Sequence, residues 1–314
     1  MKILVTGGCG YVGSRLVPRL LQDEHTITVI DAQWFGNYLP ESANIKIIKK
    51  KISEVDLADL NGTESVIHLA NIANDPSAAL NPELSWNVNV LDTLHLLDLS
   101  KRAKIKHFLF SSSGSVYGVK SEERVTEDLD LVPISLYNKT KMIAERVVKS
   151  YEDSFRCISV RPATVCGWSP RMRLDVLINM FVFQAFNNNE IKVMGGDQIR
   201  PNIHIDDLSD VFVHFLNNPH LKSGAYNAGF ENLSVKSAAQ TVSKVIPSII
   251  KFEKSDDPRS YRLDSKKLLD TGFTPKRTVQ GAIEEILHML DQKLLVDDER
   301  WHTVKRMKSI GAIQ

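Results

Sequence analysis

Short apolar runs alternate with amphipathic stretches through the first half of the chain. Lys2–Thr6, Thr26–Ile30, Ile45–Ile48, Ser65–Leu69, His107–Phe110 and Cys157–Val160 are such runs, several of them β-branched. That is the pattern of strands buried on both faces. Between them, Tyr11–Leu21, Glu83–Arg102 and Ser135–Tyr151 carry apolar residues at helical spacing. Strand, helix and strand in this order predict right-handed crossovers and an α/β fold built on a doubly wound parallel sheet.

After Gly167 the rhythm changes. Leu174–Phe186 predicts a helix and Ile191–Met194 a short strand closed by Gly195-Gly196. Asn202–Ile205 reads as a return to the sheet, followed by a helix over Asp206–Asn217. Val279–Leu290 is amphipathic. The expected division is therefore a sheet domain from residues 1–165 plus 196–223, and a smaller mixed α/β lobe from 166–195 plus 224–290. The tail, 291–314, is polar and somewhat basic, and the sequence assigns it no role.

Composition narrows the function. The 314 residues hold 39 Lys+Arg against 38 Asp+Glu, a net charge of +1. No overall field attracts nucleic acid or a membrane surface, and no apolar stretch is long enough for a membrane span. The strand that begins at Lys2 leaves no place for a cleavable leader, so a cytoplasmic location is expected. Cys9, Cys157 and Cys166 are odd in number and lack CxxC spacing, which predicts free thiols in a reducing compartment. No His, Cys or carboxylate pair has metal-site spacing, so no metal is expected.

Candidate chemistry begins directly after the first strand. In Thr6-Gly7-Gly8-Cys9-Gly10-Tyr11-Val12-Gly13, glycines at 7, 10 and 13 let the backbone turn tightly and approach a pyrophosphate at a helix N-terminus. Asp31 closes the second strand, where a carboxylate meets adenosine ribose hydroxyls and repels a 2′-phosphate. NAD is thus favoured over NADP. Cys9 reads as a small filler of this loop.

A second constellation lies further on. Ser111-Ser112-Ser113-Gly114-Ser115 follows the fifth strand, and Tyr137 and Lys141 stand at i, i+4 on the next long helix. Oxidising an alcohol with a nicotinamide requires a base for the hydroxyl proton. Bringing a tyrosine toward neutrality means a shift of about three pH units, roughly 4 kcal/mol. A cation at about 4 Å in an effective dielectric near 20 supplies about that much.

Together these segments resemble the extended short-chain dehydrogenase/reductase family of nucleotide-sugar epimerases, dehydratases and reductases, over residues 1 to about 290. The resemblance implies a Rossmann-type sheet, bound NAD, a nucleotide-sugar substrate and a homodimer formed through the helices Glu83–Arg102 and Ser135–Tyr151. It implies Tyr137 as base, Lys141 as its activator and ribose ligand, and Ser113 as the hydroxyl orienting the sugar oxygen. Tyr117 is an alternative aromatic at the substrate. Cofactor contacts are expected from Gly7, Gly10, Tyr11, Val12, Gly13, Asp31, Leu69, Ala70 and Asn89, with His68 structural. Substrate contacts are expected from Ser113, Ser115, Thr164 and Arg173. Arg200 and Arg259 are natural forks for a diphosphate.

Some positions depart from the family pattern. Gly114 and Ser115 replace the Asp-Glu pair of dehydratases, Lys51 an adenine-binding Asp, Asp92 a small residue and Thr164 an Asn. Ser169–Asp175 resembles a bacterial subgroup from surface-polysaccharide loci that includes a GDP-heptose C4 dehydrogenase. The leading expectation is oxidation at C4 of a nucleotide sugar by retained NAD, either transient, as in epimerisation, or net. Reduction of a 4-keto sugar is a second reading, and a non-catalytic dinucleotide sensor a third.

Overall fold

The computed structural model describes residues 1–255 and 259–312. Its strands, in chain order, are β1 (Lys2–Thr6), β2 (Thr26–Asp31), β3 (Ile45–Lys49), β4 (Ser65–His68), β5 (His107–Ser111) and β6 (Arg156–Pro162). They continue as β7 (Thr164–Cys166), β8 (Glu190–Met194), β9 (Ile199–His204), β10 (Gly224–Ala228), β11 (Glu231–Ser234) and β12 (Ile249–Glu253). Seven of them form one sheet in the order β10-β6-β5-β4-β1-β2-β3, parallel throughout. This is the Rossmann-type doubly wound arrangement. The order reverses between β1 and β4, and ligands of such sheets bind in the crevice beyond the strand ends there.

Burial explains the strands. Ile3, Leu4, Val5, Val66, Ile67, Phe108 and Leu109 are all inaccessible to solvent, as helices on both faces of a parallel sheet require. The helix Leu136–Lys149 is capped by Ser135, whose Oγ accepts from the Asn138 amide at 3.2 Å. The stretch expected as one helix over Glu83–Arg102 contains a π-helical turn at Asn87–Leu91 between Pro82–Trp86 and Asp92–Arg102. Such turns are concentrated near functional sites.

Two strand assignments change. Asn202–Ile205 does not return to the large sheet: β9 pairs with β7 and antiparallel with β11. The seventh place goes to β10, parallel to β6. Its sequence, Gly-Ala-Tyr-Asn-Ala, has no β-branched residue, so nothing in the pattern marks it as a buried strand. The parallel sheet therefore takes in residues 224–228, which a boundary after 223 assigns to the smaller lobe. That lobe packs the helices Leu177–Asn188, Val235–Val245 and Val279–Asp291 around Ile178, Phe181, Val242 and Ile283. The helix expected from Leu174 begins at Leu177, after the Arg173–Asp175 pair. Among the described residues no helix is long and apolar enough to cross a membrane.

Candidate active site

A cleft of about 1410 Å³ opens at the C-terminal ends of β1, β4, β5 and β6. Register builds one wall. Thr6 pairs with Ile30, so Gly7 and Asp31 leave their strands side by side, and the Gly7 amide donates to the Ile30 carbonyl at 2.9 Å. Gly7 has φ +70°, and a Cβ there would come within 2.6 Å of the Ala70 amide nitrogen. A Cβ on Gly13 would lie 2.4 Å from the Gly8 carbonyl. Gly7, Gly10, Tyr11, Val12, Gly13 and Asp31 all line the cleft, as do Leu69 and Ala70. The helix that starts at Gly13 carries no side-chain cap, which leaves its N-terminus to an anion. Asp31 accepts one bond per oxygen, from the Cys9 amide at 3.0 Å and the Gln33 amide at 2.6 Å. A carboxylate has about four acceptor positions, so ribose hydroxyls remain within its capacity.

The other end of the cleft holds Ser113, Ser115, Tyr137, Thr164 and Arg173. Ser113 Oγ stands 2.7 Å from Ser115 Oγ, which donates to Asn138 Oδ1 at 2.6 Å. Burial pushes the Tyr137 phenol up to about 12; the Ser113 hydroxyl and Arg173 oppose that, while Asp75 adds to it.

Residues 3–229 match the model of the NAD dependent epimerase/dehydratase family. The chain belongs to this family. It is 30% identical over 309 residues to a UDP-glucose 4-epimerase of Corynebacterium glutamicum, covering 91% of this chain and 94% of that protein. UDP-glucuronic acid decarboxylase 1 of Xenopus tropicalis is 27% identical, covering 93% and 73%. Among solved structures, a UDP-glucuronic acid 4-epimerase from Bacillus cereus in complex with UDP-glucuronic acid and NAD superposes with a TM-score of 0.84. That pair is 26% identical over 93% of this chain and all of the other.

This member of the family is an NAD-dependent enzyme, so the sensor reading falls away. The uncapped helix, the glycine turn and Asp31 fit the pyrophosphate and adenosine ribose of NAD. Cys9 is buried, and burial, reinforced by Asp31, pushes its thiol up to about 12. His68 is structural, its ring nitrogens 2.6 Å from Thr6 Oγ1 and 2.9 Å from Thr93 Oγ1, and burial pushes it down to about 3.

Several expected contacts differ in the structure. Asn89 faces away from the cleft: its amide clamps the backbone of Ile72 at 2.7 and 3.2 Å and donates to Thr140 Oγ1 at 3.0 Å. Lys141 is 1% exposed and does not line the cleft. Its ammonium donates to the Ser111 carbonyl at 2.7 Å and sits 4.7 Å over the Phe110 ring. Arg173 is a cation that opposes the upward shift of the Tyr137 phenol. Arg200 is not among the residues lining the cleft, and its guanidinium donates to the backbone carbonyls of Ile199 and Arg259. Arg259 does line the cleft, paired with Asp75. Tyr117 is fully buried, its hydroxyl accepting from Arg161 at 2.6 Å and donating to Asn227 at 2.8 Å, so it is no substrate aromatic.

The cleft also holds Asp75, which no motif announced, together with Arg171, Lys51 and Asp92. Asp75 opens the short helix Asp75–Leu80, capped by Asn74. An Asn followed by Pro two positions on is a helix-start signal that was available in the sequence. Arg171 is buried, its guanidinium 4.0 Å over the Phe35 ring, and burial lowers it to about 9. Lys51 and Asp92 line the same end of the cleft; burial pushes the Asp92 carboxyl up to about 6 despite His95 and Lys51.

Proposed function

We propose that this enzyme oxidises C4 of a nucleotide-activated sugar and returns the hydride, inverting that carbon. The observation carrying the reading is that Ser113, Ser115, Tyr137 and Thr164 share one cleft with the glycine turn and Asp31. Bound NAD supplies the hydride acceptor and, once reduced, the donor. Tyr137 removes the C4 hydroxyl proton and gives it back to the ketone. Ser113 hydrogen-bonds the same oxygen and orients it. Arg173 and Arg259 line the cleft and face the phosphates.

The surroundings of Ser113 argue against loss of water. Gly114 is buried, and a Cβ there would lie 3.2 Å from the Pro162 carbonyl, so a side chain at this position would have to displace that strand end. Ser115 is committed to Asn138. Asp75, the carboxylate nearest in role, is already bonded to Arg259 and Ser135. No 4-keto-6-deoxy sugar is therefore expected from any nucleotide hexose, and mass spectrometry of the products checks this. Its accumulation would place the proton shuttle elsewhere in the cleft.

Net C4 oxidation, or reduction of a 4-keto sugar, is the second reading. It is favoured by the Ser169–Asp175 segment, which brings Arg171 and Arg173 to the cleft. A panel of UDP-, GDP-, dTDP- and CDP-sugars separates the two. The 4-epimer should form without lasting change in nicotinamide absorbance. Ketone with accumulating NADH supports net oxidation instead, and no reaction with any member overturns both. The three buried free thiols suit a reducing cytoplasm, and a surface-polysaccharide precursor is the substrate role we favour. Exposed Trp86, Leu91 and Leu94 on the segment 82–102 support a homodimer through that face.

Asp31 sets the cofactor preference in this reading. Asp31→Ala should weaken NAD binding and narrow its advantage over NADP, measured by titrating both dinucleotides. A wild-type enzyme that prefers NADP would reverse the assignment.

A further inference from the structure

The tail without a sequence-based role returns to the cleft. After the helix Val279–Asp291 the chain makes a helical turn at Glu299–Trp301 and a helix at Thr303–Ser309. Thr303, Arg306, Met307 and Ile310 line the cleft. All of this lies beyond residue 229, where the family match ends.

The tail is bonded to both rims. On the smaller lobe, the Trp301 carbonyl accepts from the Leu174 amide at 2.9 Å, and the Thr303 amide donates to Asp175 at 3.1 Å. Asp175 is also the partner of Arg173, at 2.8 Å. On the dinucleotide side, Arg306 Nε donates to the Trp34 carbonyl at 2.8 Å, three residues beyond Asp31. Between these anchors Met307, 2% exposed, clusters with Ile72 and Ala78, against which Trp34, Phe35 and Tyr137 pack. One short helix thus touches the loop after Asp31 and the neighbourhood of Tyr137.

The geometry points to a C-terminal strap, residues 299–312, that closes the dinucleotide cleft and holds NAD on the enzyme through successive turnovers. Met307 and Arg306 are its positioning residues. Because the strap bridges the adenosine and catalytic ends, NAD leaves only after the Arg306–Trp34 bond and the Met307 contacts break. Affinity differences of this kind appear mainly in the off-rate. The inference rests on NAD as cofactor and not on which sugar is used.

The test measures release of NADH from preloaded full-length enzyme into excess ADP-ribose, with no sugar present. Arg306→Ala removes one anchor and Met307→Asp expels the central contact. Each should speed release by about tenfold or more, the equivalent of 1.4 kcal/mol. Wild-type enzyme purified without added cofactor should still carry dinucleotide, and Arg306→Ala should carry less. NAD should also slow tryptic cleavage at the exposed Lys305 and Lys308. If Met307→Asp does not fold, Arg306→Ala decides. Unchanged release in the folded variants overturns the strap, whatever the sugar panel shows.

Discussion

Tyr137→Phe is expected to retain fold and NAD binding while losing about a hundredfold or more in turnover. The ring is held by packing against the cluster of Ile72, Ala78 and Met307, which a phenylalanine keeps. Only the hydroxyl is lost, and with it the group that exchanges a proton with the C4 oxygen. The chain's own groups leave the phenol well above 10: burial outweighs the Ser113 hydroxyl and Arg173. Without cofactor the phenol therefore keeps its proton at pH 7, the state the ketone needs in the return step. The base form needed in the forward step requires the positive charge that the nicotinamide of bound NAD would supply. Melting temperature, NAD titration and product formation should be measured together. Near-normal turnover in a folded, NAD-binding variant would sink the assignment.

The legible parts of this protein were those written in contiguous residues. The glycine turn, Asp31 and the helix start at Tyr137 each depend on neighbours within a few positions, so pattern and spacing located them. The structure brings them to one cleft because Thr6 and Ile30 end their strands in register. Side-chain direction was not legible in the same way. Tyr137 and Lys141 share a helix face by spacing, yet Lys141 points inward to the Ser111 carbonyl and Tyr137 to the cleft. Asn89 was close in sequence terms, but the π-helical turn and the bonds to Ile72 aim it inward. β10 was missed for want of β-branched residues, and its place in the sheet was decided by pairing with β6 alone. The tail had a signal that local reading passed over. Trp301, Val304, Met307 and Ile310 recur every three residues, a helical period, but only tertiary packing tells which surface it covers.

Glu145→Ala should produce the largest loss of stability among single substitutions near the site. Glu145 lies one turn beyond Lys141 on the helix Leu136–Lys149. Its carboxylate holds the Arg161 guanidinium at 2.5 Å and accepts from Ser112 Oγ at 2.6 Å, with side-chain exposures of 6% for Arg161 and 10% for Glu145. Arg161 reaches on to Tyr117, and Tyr117 to Asn227. The network therefore ties the segment after β5 to β6 and β10. Removing one partner of a buried pair leaves an uncompensated charge, which costs about 3–5 kcal/mol. A fall in Tm on the order of 10 °C is expected. Lys141 feels the same change. Burial lowers it to about 7 from 10.5, and Glu145 is the charge that opposes the shift. Without Glu145 it falls further. Sign follows from proton counting: a lysine lowered in the folded state binds fewer protons than the unfolded chain between the two values. Stability from this group therefore grows as pH rises above 7 in the wild type, and from a lower pH in the variant. Replacing both partners, Glu145→Leu with Arg161→Met, should recover much of the lost Tm, because apolar groups of similar volume leave no charge stranded. Thermal unfolding of the two variants at several pH values checks the argument. A single variant that melts within about 2 °C of wild type would show that Ser112, Tyr117 and Asn227 hold this layer without the ion pair.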